Sequence, residues 1–204
     1  MVKVKICGIT NLRDALISVG AGCDALGFLF YKKSPRYIAP EEAKEIIKNL
    51  PRNVTKIGVF VNCREKSIKS IAKICNLDIL QFHGNESVEF CRKFNGYKII
   101  KAFRVEKKID LAKILKYKTF AYLFDTFSQS KFGGTGKTFD WCLLADIKHP
   151  IFLSGGLNAH NVNKAIKKVN PAWVDASSTL EVRPGEKDSK KVRKFIQAAK
   201  KRSR

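Results

Sequence analysis

Acidic residues are scarce in this chain. Eighteen Asp and Glu stand against forty Lys and Arg among 204 residues, a formal charge of +22. So few acids leave little material for the surface ion-pair networks of heat-adapted proteins. The surplus of cations favours anionic ligands and attracts nucleic acid non-specifically. It is spread over helical faces such as residues 68–74 and 164–169, with only residues 200–204 forming a frayed cationic end. No basic arm is set apart, so no specific nucleic-acid partner is expected.

Long apolar runs are missing too. No stretch approaches the roughly 20 residues a membrane span needs, and the N-terminus enters a strand-like segment without the longer apolar core of a signal peptide. No membrane partner and a cytoplasmic location are the expectation. The six cysteines include no Cys-x-x-Cys pair and no nearby His partner. This indicates neither a zinc site nor a disulfide framework, and most of them read as small buried apolar residues. No metal is expected. Pro-rich linkers, low-complexity tracts and shifts of composition are also lacking, so residues 1–204 read as a single domain. Its 45% hydrophobic content suffices for one sizeable core.

What is present is alternation. Short apolar runs at 2–7, 24–30, 55–61, 78–83, 98–104, 120–125, 150–154 and 173–177 each end in a polar, Cys, Gly or aromatic residue. Between and after them, helical spacing recurs at 12–19, 40–50, 65–75, 87–94, 109–117, 138–147, 159–169 and 189–200. Asn11, Asn158 and Asp188 stand where helix caps are needed, and Pro40 suits a first helical turn. Eight strand–helix units with a repeat of about 25 residues predict an α/β fold, a single (β/α)8 TIM barrel. An open doubly wound sheet is the alternative. It would want Gly-x-Gly-x-x-Gly after the first strand, where only Cys7-Gly8 stands.

In a closed barrel the reactive groups project from the C-terminal ends of the strands, which brings Cys7, His83, Arg104, Asp125, Ser154 and Asp175 to one opening. Cys7 is either a small buried filler or a base. As a base it must ionise, which calls for a pKa lowered from about 8.5 by a nearby cation or a helix N-terminus. Lys5 shares its strand face. Asp125 ends an apolar run and needs a partner or a function there. His83 reads as structural or substrate-positioning rather than as a metal ligand. Arg36, in a loop stiffened by Pro35, is a solvated arginine or a bidentate grip on a carboxylate. The clusters Gly133-Gly134-Thr135-Gly136, Ser154-Gly155-Gly156 and Asp175-Ala176-Ser177-Ser178 fit phosphate binding by bare amides after strands seven and eight.

Taken in order, Lys5-Ile6-Cys7-Gly8-Ile9-Thr10, Ser34-Pro35-Arg36-Tyr37, Gly58-Val59-Phe60-Val61-Asn62, Leu80-Gln81-Phe82-His83-Gly84, Gly133-Gly134-Thr135-Gly136-Lys137 and Leu153-Ser154-Gly155-Gly156-Leu157 closely resemble the phosphoribosylanthranilate isomerase family, from residue 3 to about 188. The resemblance implies a cofactor-free Amadori rearrangement in tryptophan biosynthesis, acting on a phosphorylated anthranilate, by a monomer or homodimer. It implies Cys7 as general base and Asp125 as general acid. Arg36 would hold the anthranilate carboxylate, Gly155, Gly156, Ser177 and Ser178 the phosphate, with His83 and Asp175 also in the substrate site. Thr179 replaces the family's usual Gly and Ala176 its usual Val. A β-branched residue resists positive φ, so a differently shaped loop after strand eight is expected. Two other readings compete: another phosphosugar barrel, such as an isomerase of histidine biosynthesis or an indole-glycerol-phosphate synthase, and a basic nucleic-acid-binding protein on a barrel scaffold.

Overall fold

A computed structural model describes residues 1–106, 108–126 and 138–201. Eight parallel strands close into a barrel in sequential order. They are β1 (Lys3–Cys7), β2 (Ala25–Leu29), β3 (Thr55–Phe60), β4 (Ile79–Phe82), β5 (Lys98–Val105), β6 (Ala121–Thr126), β7 (Ile151–Leu153) and β8 (Trp173–Ala176). Closure runs through β1 and β8, where Lys3 lies opposite Trp173 and Lys5 opposite Asp175. The barrel, not the open sheet, is the architecture.

Side-chain alternation explains why each strand is apolar on both faces. On β1, Val4 and Ile6 join the large core between barrel and helices, while Lys5 and Cys7 point the other way. The lower interior is packed by Ala25, Ile57, Ile79, Ile100, Leu123, Phe152 and Trp173. Phe152 and Trp173 stack there with ring centroids 4.8 Å apart. These side chains fill the interior, which is therefore a core rather than a channel.

Helices α1 (Leu12–Gly20), α2 (Pro40–Lys48), α3 (Glu65–Ile74), α4 (Val88–Arg92), α5 (Leu111–Ile114), α6 (Val162–Val169) and α7 (Ser189–Lys200) connect or follow the strands. Asn11 caps α1 by accepting from the Asp14 amide at 2.8 Å, Pro40 opens α2, and the Asp188 carboxylate caps α7 on the Lys190 and Lys191 amides. Two expectations change. Asn158 accepts from the amides of His160 and Asn161, so it shapes the turn before α6, whose cap position is Asn161. The segment expected as a sixth full helix forms only a 3-10 turn, Trp141–Leu144. There the Asp140 side chain takes the Cys142 amide, and the bonds close at i to i+3, a tighter winding that rarely propagates.

One element had no counterpart in the sequence reading. After β8 the chain makes a 3-10 turn (Ser178–Leu180) and then an antiparallel hairpin, β9 (Glu181–Arg183) and β10 (Glu186–Lys187). Gly185 turns it with φ +85°, a backbone angle that L side chains resist.

Candidate active site

Cys7, Arg36, His83, Asp125, Gly155, Gly156, Asp175, Ser177 and Ser178 all line one cavity at the C-terminal end of the barrel. Ser154 lines it as well. Arg104, expected at the same opening, lies near the end of β5 and is not among the lining residues. The cluster Gly133 to Gly136 falls outside the described residues. Among the described residues, four buried side-chain polar atoms have no hydrogen-bond partner, and Gln81 Oε1, His83 Nε2 and Ser177 Oγ are three of them. All three belong to this cavity's lining. Buried polar atoms are ordinarily satisfied, so their concentration here marks a place for a polar ligand.

Cys7 ends β1 and sits opposite Gly27 of β2. Any Cβ at Gly27 would approach the Cys7 sulfur to 2.7 Å, so glycine is what lets the thiol turn inward. Gly8, next in the chain, has φ +80°, and a Cβ on it would meet Arg36 Cδ and Ser177 Oγ at 2.8 Å. The expected lowering of the thiol's pKa is not found. Burial pushes Cys7 up and dominates, while the Lys5 charge is the largest pull downward. Lys5 itself is fully buried and donates to Asp175 Oδ1 at 3.0 Å. Burial works against its charge, yet Asp175 and Cys7 outweigh it and hold the ammonium above its ordinary pKa.

Across the cavity, Asp125 Oδ1 accepts from the Thr126 amide at 2.9 Å. Its Oδ2 lies 3.4 Å from His83 Nε2, close but poorly aligned for a hydrogen bond. Gln81 Nε2 is 2.9 Å from His83 Nδ1. An amide that donates to Nδ1 leaves the ring proton on Nε2, facing the carboxylate.

The loops after β7 and β8 are tied together. Gly155 and Gly156 turn with φ +86° and +66°, and any side chain on Gly155 would collide with Thr126. Asn161 Nδ2 donates to Gly156 O at 3.0 Å. Thr179 sits inside the 3-10 turn and not at a positive φ, as expected of a β-branched residue. Its hydroxyl donates to Leu157 O at 2.5 Å, so the residue pins one loop to the other.

Arg36 is not a solvated loop residue. Its Nε and Nη2 pair with the two oxygens of Glu181 at 2.8 and 2.7 Å. This occupies one edge of the guanidinium and leaves Nη1 and the other Nη2 hydrogen along the second edge. Lys187 Nζ in turn donates to Glu181 Oε1 at 2.8 Å and to Ser177 O at 3.3 Å. Burial lifts the Glu181 carboxyl, but Arg36 and Lys187 together hold it below its ordinary value. Burial lowers Lys187 more than Glu181 raises it. Gln81, Glu181 and Lys187 were not singled out from the sequence. Charged residues flanking Pro184-Gly185 were the available signal for the last two, and it resembles any exposed hairpin.

Barrels that take phosphate between the loops after strands seven and eight define a class, the (β/α)8 enzymes of small phosphorylated substrates, and residues of the same two loops line this cavity. The sequence profile of the N-(5'phosphoribosyl)anthranilate (PRA) isomerase family matches residues 4–198, and the chain belongs to that family. It is 50% identical over 202 residues to the N-(5'-phosphoribosyl)anthranilate isomerase of Geotalea uraniireducens, covering 98% of this chain and 99% of the relative. The crystal structure of phosphoribosyl anthranilate isomerase from Thermotoga maritima superimposes with a TM-score of 0.93 at 46% identity, covering 98% of this chain and 99% of the other. A phosphoribosyl anthranilate isomerase in complex with reduced 1-(o-carboxyphenylamino)-1-deoxyribulose 5-phosphate matches with a TM-score of 0.89 at 45% identity, over 98% and 99% of the two chains.

Proposed function

We infer that the chain isomerises N-(5-phosphoribosyl)anthranilate to 1-(2-carboxyphenylamino)-1-deoxyribulose 5-phosphate, a step of tryptophan biosynthesis. The observation that carries this is one cavity lined by a thiol from β1, a carboxylate from β6, an arginine edge and two glycine-containing loops. In this reading Asp125 gives its proton to the ribose ring oxygen, and the ring opens to a Schiff base. Cys7, as thiolate, then removes the proton from C2, the enol that results becomes the ketone as C1 gains a proton and the C2 hydroxyl loses one, and Asp125 regains and Cys7 sheds a proton by exchange with solvent. An acid and a base on separate strands divide the work without exchanging protons with each other.

Arg36 accounts for the anthranilate end. With one edge fixed by Glu181, the guanidinium presents the other to a planar carboxylate, the geometry in which arginine is strongest. Gly155, Gly156, Ser177 and Ser178 take the phosphate by backbone amides, which positive-φ glycines bring close to an anion. His83 and Asp175 complete the substrate site, His83 through its Nε2 and Asp175 through Lys5. No metal or cofactor is needed for these steps, and the partner is a small phosphorylated anthranilate.

The test is a fluorescence assay that follows loss of phosphoribosylanthranilate generated in situ, with and without purified protein. Disappearance at the uncatalysed rate in the presence of folded protein would sink the inference.

A further inference from the structure

Lys5 is the unexplained charge of the barrel interior. Its side chain is wholly buried, where an ammonium is costly unless paired. Asp175, opposite it in the β1–β8 register, supplies a pair at 3.0 Å. A buried pair is still no better for stability than well-packed apolar residues of the same volume, and the layer below is made of such residues. Stability alone therefore gives no reason for an ammonium at this height.

Two residues along β1, on the same face, stands Cys7. Lys5 Cε and Cys7 Sγ lie 3.1 and 2.7 Å from the point where a Cβ at Gly27 would sit. Glycine thus opens the space in which the two side chains meet. We propose that Lys5 is the positioning residue of the base, its ammonium held by Asp175 so that it stabilises the Cys7 thiolate at the cavity floor. This rests on Cys7 being the base. Lys5 keeps its proton throughout. The proton that moves goes from substrate C2 to the sulfur and passes from it to solvent before the next turnover.

The charges facing the sulfur come from several elements. Lys5 on β1 and Lys187 on β10 favour the thiolate, and Asp175 on β8 opposes it. Arg36, from the loop after β2, packs against Gly8 with its charge bound to Glu181. Asp125 and His83 lie across the cavity. The signs separate a positioning role from a bracing one. Loss of Lys5 must make the thiolate harder to form, whereas neutralising Asp175 leaves the thiolate as the remaining counter-ion of Lys5 and must make it easier. A residue that only braces the barrel moves neither, or moves both the same way.

The experiment measures alkylation of Cys7 by iodoacetamide against pH, read by mass spectrometry of the peptide that carries it. The proteins are the unmodified chain, Lys5→Met, Asp175→Asn and Lys5→Met with Asp175→Asn, each checked for folding by circular dichroism. Lys5→Met and the double variant should shift the profile upward by about one pH unit or more, roughly tenfold slower alkylation near neutral pH, and Asp175→Asn should shift it downward. Turnover of Lys5→Met should fall through kcat with KM nearly unchanged. A folded Lys5→Met with the unmodified profile overturns the proposal. Should Lys5→Met fail to fold, the double variant, which leaves no buried charge unpaired, and Asp175→Asn decide it, and unmoved profiles in both overturn it. Cys7→Ser with full turnover would instead sink the reading of Cys7 as base, a result the alkylation profile does not depend on.

Discussion

Halfway up the barrel the interior changes character. Below, Ile57, Ile79, Ile100, Leu123, Phe152 and Trp173 fill it with apolar side chains. Above, strands β1, β4, β6 and β8 carry Lys5, Cys7, Gln81, Asp125 and Asp175. Those five residues are almost as inaccessible as the plug, none exceeding 7% exposure, so burial alone does not distinguish the two levels. Satisfaction does. The lower level is complete in itself, whereas the upper level leaves Gln81 Oε1 without a partner, together with His83 Nε2 and Ser177 Oγ at its rim. A parallel barrel allows this division because inward residues two apart on a strand fall at different heights, and each layer is filled by a subset of the strands. The lower level sets stability, and the upper one is free to hold chemistry that packing would not select.

The largest effect should come from the upper level. Cys7→Ser changes one atom in a packed site, so the fold should stand while turnover falls by about a thousandfold, since a hydroxyl is a far weaker base than a thiolate at neutral pH. Steady-state rates beside a thermal melt check both halves, and near-normal turnover would deny Cys7 its role. Phe152→Ala should do the reverse. It removes a fully buried ring from the stack with Trp173 and should cost about 3–5 kcal/mol of stability. The protein that remains folded should keep its kcat. If kcat collapses at temperatures where the variant is still folded, the two levels are not separable.

Asp125→Asn comes next. It keeps the shape and removes the transferable proton, so kcat should fall by about a hundredfold with little change in product binding. A rise in KM alone would make Asp125 a positioning group. Arg36→Met should weaken the anthranilate end by roughly tenfold, the worth of a charge-assisted carboxylate contact. A ribose phosphate without the aromatic carboxylate serves as the control in titration calorimetry. If its affinity falls equally, Arg36 acts through Ser177 and Lys187 on the phosphate loop. The smallest effect concerns the surface. A protein with a formal charge of +22 should draw a doubly anionic substrate over about 10 Å, the Debye length at 0.1 M salt. Raising salt should lower kcat/KM a few-fold and leave kcat flat. A flat kcat/KM would remove the steering role and reopen the nucleic-acid reading, which predicts steeply salt-dependent binding of DNA or RNA.

Much of the barrel was legible because its signals are local. Strand and helix periods differ, so eight apolar runs separated by helical spacing could be counted. Asn11, Pro40 and Asp188 act within three residues of themselves. The segment after β6 misled because its apolar residues have helical spacing while the Asp140 side chain takes a local amide and tightens the turn. Thr179 was only partly legible. Its departure from the family's glycine was read as a backbone problem, and only the neighbouring loop shows that its hydroxyl has a carbonyl to bind.

By itself the sequence determined the alternation of strands and helices, the thiol and carboxylate at strand ends, and the glycines of the loops after β7 and β8, because each of these depends on neighbours a few residues away. The tertiary structure decided the electrostatics. Lys5 meets Asp175 across 170 residues and Arg36 meets Glu181 across 145, and both pairings exist only because β8 returns to β1 in one register. Whether Cys7 is easy or hard to ionise depends on that closure, since its burial, the Asp175 partner of the neighbouring Lys5 and the Lys187 charge come from strands and a hairpin far along the chain.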